Sequence, residues 1–274
     1  MISLLQVQKF RGKTGDNMAE KNYLHTAYAN SADGTYGFTT VYPNLNLLDG
    51  TKDFRGDWTN AGIWVNDGTY KGLTVKSYQG TWNGTFRKYI VPQDGLYTWS
   101  SFVKSESDTS NIFRVLFINN IQKPFVGLGR KFDWLRDSVT VSLKKGDEVI
   151  FNYGNSENNR GKISIAGYKL EQDSTATPWM PSASEVKTAD WPKYVGTYVD
   201  TNPTSSTEPS KYDWDEMKYR VYLDGVPVGG SKLLSFDLEN LKAGTSYNVQ
   251  VSQINGNVES DKSESVAFKT TLTK

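Results

Sequence analysis

From residue 46 onward, the chain consists largely of short runs in which apolar and polar side chains alternate, separated by Gly, Asn and Asp. A period of two places alternate side chains on opposite faces of a strand. Turn residues such as Asn66-Asp67-Gly68 indicate tight connections between runs. No helical period intervenes, so the pattern predicts an antiparallel β-sandwich of the jelly-roll type. The predicted strands are Ala61–Val65, Leu73–Gln79, Thr85–Val91, Leu96–Val103, Ile112–Ile118, Ser138–Leu143, Glu148–Tyr153 and Lys162–Leu170.

The ends of the chain carry a weaker pattern. Residues 1–42 sustain no period and are interpreted as an N-terminal arm, either ordered or docking on a partner. Residues 183–212 are rich in Ser, Thr, Pro, Lys and Asp, as linkers are. The sequence thus predicts an all-β chain, with a jelly roll over 43–182 and a smaller β-sandwich over 213–274. The predicted strands of the smaller domain are Lys218–Leu223, Leu234–Leu238, Ser246–Gln253 and Val266–Thr271.

Charge and composition exclude several classes of function. The 31 basic and 30 acidic residues nearly cancel, which argues against the basic surface that nucleic-acid binding requires. The longest apolar runs are too short for a membrane span. One histidine, His25, and no cysteine make a zinc site improbable. His25 lies outside the regular runs and is predicted to be a surface residue. No cofactor is expected, although a structural calcium ion is compatible with a jelly roll.

A motif near the C-terminus resembles part of a fibronectin type III domain. It is the run Leu241-Lys242-Ala243-Gly244-Thr245-Ser246-Tyr247-Asn248-Val249-Gln250-Val251. In such domains the Leu fills the end of the sandwich, and the Tyr hydroxyl bonds back to the corner backbone. The run Tyr219–Gly225 resembles the third strand and its hairpin turn. The two strands that should come before it have only weak candidates, Tyr194–Tyr198 and Lys211–Trp214.

The middle of the chain carries a second resemblance. The runs Ala166–Glu171, Ala176–Trp179 and Phe132–Ser138 are similar to jelly-roll carbohydrate-binding modules of phage tail proteins. Together with Ala189–Tyr198 and Ser210–Trp214, they resemble baseplate accessory and receptor-binding proteins of siphophages that infect lactococci and streptococci. This resemblance implies a virion protein at the tail tip. It also implies two kinds of partner, namely host cell-wall polysaccharide and other baseplate proteins.

Saccharide binding requires flat rings against the apolar face of a sugar and planar polar groups that reach its hydroxyls. Candidates are therefore aromatic residues that lie in loops or on the strand face opposite the predicted core, together with nearby polar residues. Trp64, for example, points away from Ile63 and Val65. Trp99 alternates with the core and is predicted to be buried. The candidate site residues are Trp58, Trp64, Asn66, Asp67, Tyr70, Tyr78, Trp82, Asn83, Trp134 and Arg136.

Catalysis is not expected, because the sequence offers no obvious nucleophile with a base and no carboxylate pair set apart from turns. The predicted function is non-covalent binding of host saccharide by a baseplate accessory protein. Two alternatives remain at this point. One is a purely structural baseplate component, and the other is the glycan-binding module of a secreted carbohydrate-active protein.

Overall fold

The computed structural model describes residues 22–155, 161–239 and 241–271. The chain forms two compact units. We call Leu45–Val186 the inserted unit, because it interrupts the other unit in sequence. The split unit combines residues before Leu45 with residues after Val186. Among the described residues, no helix has the length and apolar character of a membrane span.

The inserted unit is a sandwich of two five-stranded sheets, as the jelly-roll prediction required. One sheet has the order β2-β3-β11-β5-β9, and the other has the order β4-β10-β6-β7 with β8 also paired to β6. These strands are β2 (Val65–Tyr70), β3 (Leu73–Gln79), β4 (Tyr89–Ile90), β5 (Gly95–Ser105), β6 (Ile112–Ile118), β7 (Ile121–Gln122), β8 (Val126–Gly129), β9 (Phe132–Leu143), β10 (Glu148–Asn155) and β11 (Lys162–Glu171).

Aromatic rings fill the space between the two sheets. Trp99 is fully buried, as predicted, and its ring stacks on Phe151 with centroids 5.3 Å apart. Tyr153 and Tyr168 pack against the same indole. The alternation along β5 sends Tyr97, Trp99 and Val103 into this core.

The split unit contains two further sheets. Its strands are β1 (Tyr23–Ala29), β12 (Tyr194–Asp200), β13 (Asp213–Glu216), β14 (Tyr219–Leu223), β15 (Val226–Ser231), β16 (Ser246–Asn255), β17 (Val258–Glu259) and β18 (Val266–Lys269), and its 3-10 helices are Thr188–Asp190 and Pro209–Lys211. One sheet has the order β1-β12-β13. The other has the order β15-β14-β16-β17, with β18 paired to β16.

The corner motif near the C-terminus has the expected geometry. The Tyr247 hydroxyl accepts a hydrogen bond from the Lys242 backbone N–H at 2.9 Å. Of the two weak strand candidates upstream, Tyr194–Tyr198 lies within β12, whereas Lys211–Trp214 overlaps β13 only at Asp213 and Trp214. Both strands pair with each other in the β1-β12-β13 sheet and not with the sheet of the corner motif.

The structure corrects the predicted arm and linker. Residues 23–29 of the predicted arm pair in antiparallel register with residues 194–200 of the predicted linker, from Tyr23 opposite Asp200 to Ala29 opposite Tyr194. Neither run has a strong period, because its hydrogen-bonding partner lies more than 160 residues away in sequence. The smaller sandwich therefore starts well before residue 213 and recruits the N-terminal segment. Residues 1–21 of the predicted arm lie outside the described residues.

Two local predictions are also wrong. His25 is buried rather than on the surface: its imidazole stacks on Tyr198 at 4.7 Å and contacts the Asn202 carbonyl oxygen at 2.8 Å. The predicted strand Leu234–Leu238 has the required alternation but forms no strand, and no strand among the described residues pairs with it.

Candidate functional site

Three aromatic side chains form an open surface on the inserted unit, which we call the aromatic platform: Trp82, Phe113 and Phe125. Trp82 lies in the connection between β3 and β4, Phe113 on β6, and Phe125 just before β8. The Trp82 ring centroid lies 5.0 Å from that of Phe125 and 5.9 Å from that of Phe113, with interplanar angles of 26° and 27°. Trp82 is 46% exposed and Phe125 is 42% exposed. The rings therefore keep a broad apolar face in contact with solvent.

Glycines beneath the rings allow them to lie against the sheet. Phe113 pairs with Gly154 of β10 on one side and with Gly127 of β8 on the other. A Cβ atom at Gly154 would lie 2.7 Å from Cε3 of Trp82, closer than two carbon atoms can approach. The absence of a side chain at residue 154 thus fixes how closely the indole approaches the strand.

The backbone at Trp82 is strained. Its φ is +50°, in the left-handed region that bulky residues rarely adopt. Such a conformation costs on the order of 1 kcal/mol or more, and it persists only where the surroundings fix it. The Trp82 side chain is 46% exposed in this conformation. Strain at an exposed aromatic residue is a recognised sign of a functional position.

Amide groups lie at the edge of the platform. Asn152 is two residues before Gly154 on β10, so both face the same side of the sheet. Asn152 is only 8% exposed, because its side chain lies against Gly84, two residues after Trp82. Asn83 is exposed, and its Nδ2 donates to the Tyr78 hydroxyl at 3.0 Å. Amides beside flat rings are the groups that orient a sugar.

The predicted site residues do not form one surface. Trp82 is part of the platform and Asn83 lies next to it, whereas Trp58 and Trp64 belong to the core, where they are 7% and 2% exposed. The Trp64 indole N–H donates to the Asn83 carbonyl oxygen at 2.7 Å. Tyr78 stacks on Trp64 at 5.4 Å.

The prediction that Trp64 is exposed was wrong, because it assumed that residues 61–65 form a strand with alternating faces. Residues 61–64 form turns, and strand β2 begins only at Val65. Ile63 and Val65, the predicted core positions, are 50% and 63% exposed. Trp58 is held inside by its own indole N–H, which donates to the Arg55 carbonyl oxygen at 3.1 Å.

Asn66 and Asp67, predicted to form a turn, lie within strand β2, where the register with β3 is irregular between Asn66 and Thr69. The Asp67 carboxylate accepts a hydrogen bond from Ser77 Oγ at 2.7 Å and pairs with Lys162 Nζ at 2.7 Å. Hydrogen bonding to Lys162, followed by that to Ser77, lowers the pKa of Asp67. Asp67 thus ties β2 to β11, while Asn66 is exposed.

The remaining predicted residues lie on the outer face of the β2-β3-β11-β5-β9 sheet. Tyr70 and Trp134 stack with centroids 4.3 Å apart, and both are half-buried against Phe102. The Arg136 guanidinium lies 5.1 Å from the Phe102 ring centroid and donates to the Thr177 carbonyl oxygen at 2.6 Å. Because Tyr70 and Trp134 cover one another, this cluster offers less open ring surface than the platform.

Within the described ranges, no three His, Asp or Glu side chains come close enough to hold a metal ion. Calcium binding therefore remains a prediction from the fold type.

Comparison with solved structures identifies the family. The sequence is 49% identical to one chain of the tripod (BppUct-A-L) from the baseplate of bacteriophage Tuc2009. The match covers 94% of this chain and 100% of that chain, with a TM-score of 0.74. This chain belongs to that family of phage baseplate proteins. The predicted family and the predicted location, the tail baseplate of a virion, are thereby confirmed.

Other comparisons cover parts of this baseplate protein. Residues 192–250 match the BppU-like family described as the minor structural protein 5-like C-terminal domain. The CBM36-1 domain of a xylanase from the hindgut metagenome of Trinervitermes trinervoides aligns with 43% of this chain and 98% of its own, at 13% identity and a TM-score of 0.32. A family 35 carbohydrate-binding module from Clostridium thermocellum aligns with 40% of this chain and 85% of its own, at 21% identity and a TM-score of 0.29. Curated protein sequences gave no match.

Sequence reasoning missed two of the three rings of the platform in this baseplate protein. Strand β6 reads Ile112-Phe113-Arg114-Val115-Leu116-Phe117-Ile118, which is apolar on both faces. In an antiparallel sandwich, one face of a strand normally meets water. A second apolar face is the signal that could have identified Phe113. Phe125 gives no such signal, because it precedes a strand of only four residues.

Proposed function

We propose that this baseplate protein binds host cell-surface saccharide non-covalently through the aromatic platform, as an accessory to adsorption. The observation that carries this proposal is the exposed, strained Trp82 beside Phe113 and Phe125, with the exposed Asn83 next to it in sequence. A pyranose presents an apolar C–H face to rings and hydroxyls to amides, which is the pairing that this surface offers.

The expected affinity of one site is low. Each ring has a surface of about 200 Å², and covering about a quarter of it at about 25 cal/mol per Å² contributes about 1 kcal/mol. Contacts this small correspond to a shallow site with an affinity in the millimolar range at best, about −4 kcal/mol. Several copies on one tail tip raise the avidity by about 10² to 10⁴. The protein thus acts as a reversible adhesion component with no catalytic step.

Replacing Trp82 with alanine is expected to weaken saccharide binding by about fivefold to tenfold, because the largest ring of the platform is lost. The measurement is titration of the labelled protein with purified host cell-wall polysaccharide, and with host cells that carry or lack it. Tyr36→Ala is the matched control, since Tyr36 is an aromatic residue of the split unit that is 71% exposed. Unchanged binding by the Trp82 variant, or no binding by the multimerised wild type, would refute the proposal.

Trp134→Ala separates the platform from the cluster on the opposite sheet. This variant is expected to keep its affinity for saccharide, because Trp134 stacks on Tyr70 and contacts no residue of the platform. Loss of binding in Trp134→Ala together with full binding in Trp82→Ala would assign the saccharide to the Tyr70–Trp134 cluster instead.

Gly154→Ala tests how the platform is seated. The added Cβ would lie 2.7 Å from Trp82 Cε3, so the indole must move away from the strand. We expect saccharide binding to fall with little change in thermal stability, and the fluorescence of Trp82 to shift. Gly62→Ala is the matched control, because a Cβ there meets nothing within 4 Å. Equal binding by both variants would show that the seating of Trp82 does not matter.

A further inference from the structure

Strand β1 has an open edge. It is the outer strand of the β1-β12-β13 sheet. In an antiparallel pair, successive residues direct their backbone groups alternately towards the partner strand and away from it. Tyr28 directs its backbone groups away from β12. Its N–H donates to the Thr39 carbonyl oxygen at 2.7 Å, and its carbonyl oxygen accepts from the Thr39 N–H at 2.9 Å. By the same alternation Leu24 and Thr26 point outward, and their backbone groups have no partner among the described residues.

A groove of about 560 Å³ lies against β1 within the split unit. Its walls include β1 and β12, residues 40–42, Pro203 and Ser205, β15 and residues 232–239. Several apolar side chains at the groove are exposed to solvent: Leu24 is 52% exposed, Val41 41% and Leu233 61%. An open strand edge beside exposed aliphatic side chains is a template for an additional strand, and proteins otherwise cover or charge such edges.

The charges of the groove are unbalanced. Lys232 is neutralised, because its Nζ lies 3.1 Å from a carboxylate oxygen of Asp213. Asp237 and Glu239, which also line the groove, form no ion pair with any described residue. The walls therefore present two carboxylates without counter-charge, which favours a basic residue in any occupant.

We propose that the groove receives an extended segment of another baseplate protein, which adds to β1 as a fourth strand of the sheet. Main-chain bonds to Leu24 and Thr26 fix its register next to the Tyr28–Thr39 bridge. Its alternate side chains are aliphatic, to cover Leu24, Val41 and Leu233, and it carries a Lys or Arg opposite Asp237 and Glu239. This inference rests on the proposed function, in which the inserted unit binds saccharide; it adds that the split unit docks to the virion.

Thr26→Pro tests the strand addition. Proline removes the outward N–H and obstructs an incoming strand, but leaves the bonds to β12 intact, because Thr26 does not direct its backbone towards β12. Thr26→Val is the matched control, since it keeps the N–H and the strand preference. Phages that lack the gene are complemented with each variant, and the protein in purified virions is quantified by immunoblot. We expect at least a tenfold loss of incorporation for Thr26→Pro and wild-type incorporation for Thr26→Val.

A second variant covers the case in which Thr26→Pro alters folding, which the thermal transition of the purified protein reports. Asp237 and Glu239 are both exposed, so Asp237→Lys with Glu239→Lys leaves the fold intact and reverses the charge of the groove. Reduced incorporation of this variant supports the docking proposal. Wild-type incorporation of the charge-reversed protein and of folded Thr26→Pro overturns it. Saccharide binding by each purified variant is measured in parallel and is expected to be unchanged. Incorporation into virions therefore tests the docking proposal, and saccharide binding tests the proposed function independently.

Discussion

Replacing Lys169 with methionine is expected to destabilise the inserted unit by about 3–5 kcal/mol, because the change leaves a buried carboxylate without its cation. Lys169 and Glu171 are both fully buried, with Nζ 3.2 Å from Glu171 Oε2. The ammonium also donates to the carbonyl oxygen of Pro178 at 2.7 Å. Burial lowers the pKa of Lys169 to about 8, against the opposing effect of Glu171, so the side chain is charged at neutral pH.

The loss should appear as a lower thermal transition of the inserted unit, measured by calorimetry with the two units fitted as separate transitions. Lys145→Met is the matched control, because Lys145 is exposed and forms no ion pair with any described residue. The double variant Lys169→Met with Glu171→Gln should recover part of the stability, since the unpaired charge is removed. A Lys169→Met protein as stable as Lys145→Met would show that the pair contributes nothing net.

Replacing Arg220 with methionine is expected to have a similar effect on the split unit, about 3–5 kcal/mol. Arg220 is 2% exposed and forms a salt bridge with Glu259. Its Nε donates to the Tyr42 hydroxyl at 3.0 Å, and its guanidinium lies 4.7 Å from the Trp191 ring centroid. One side chain thus connects the C-terminal sheet to the two segments of the split unit that flank the inserted unit in sequence.

The change should lower the transition of the split unit and leave that of the inserted unit unchanged. Lys242→Met provides the comparison, because Lys242 is an exposed cation of the same unit. A coupling energy near zero between Arg220→Met and Glu259→Gln, in a double-mutant cycle, would contradict the assigned role of the salt bridge.

Strands in the interior of a sheet were predicted well. Leu73–Gln79 and Ile112–Ile118 have the predicted bounds, and β5 and β11 differ from prediction by one or two residues at their ends. Thr85–Val91, by contrast, forms a strand only at Tyr89–Ile90. A strand needs a neighbour as well as an apolar face, and β10 meets this segment only through Val149 and Glu148. Local pattern does not contain that information.

The candidate site was predicted less well than the fold. Of the ten predicted residues, Trp82 is in the platform with Asn83 next to it, while Trp58 and Trp64 are in the core. All four lie in or next to turns, where successive side chains do not alternate between two faces. The exposure of Trp82 depends on its φ of +50° and on Gly154, which lies 72 residues away in sequence.

By itself, the sequence determined the all-β class, the burial of Trp99, the Tyr247 corner and the family, because these depend on side-chain alternation and on short motifs. The tertiary structure alone decided that β1 completes a sheet with β12, that Phe113 and Phe125 join Trp82, and that Trp64 lies inside. Each of these outcomes follows from pairing between distant segments. The register of such pairs selects the side chains that meet solvent, and no local pattern encodes it.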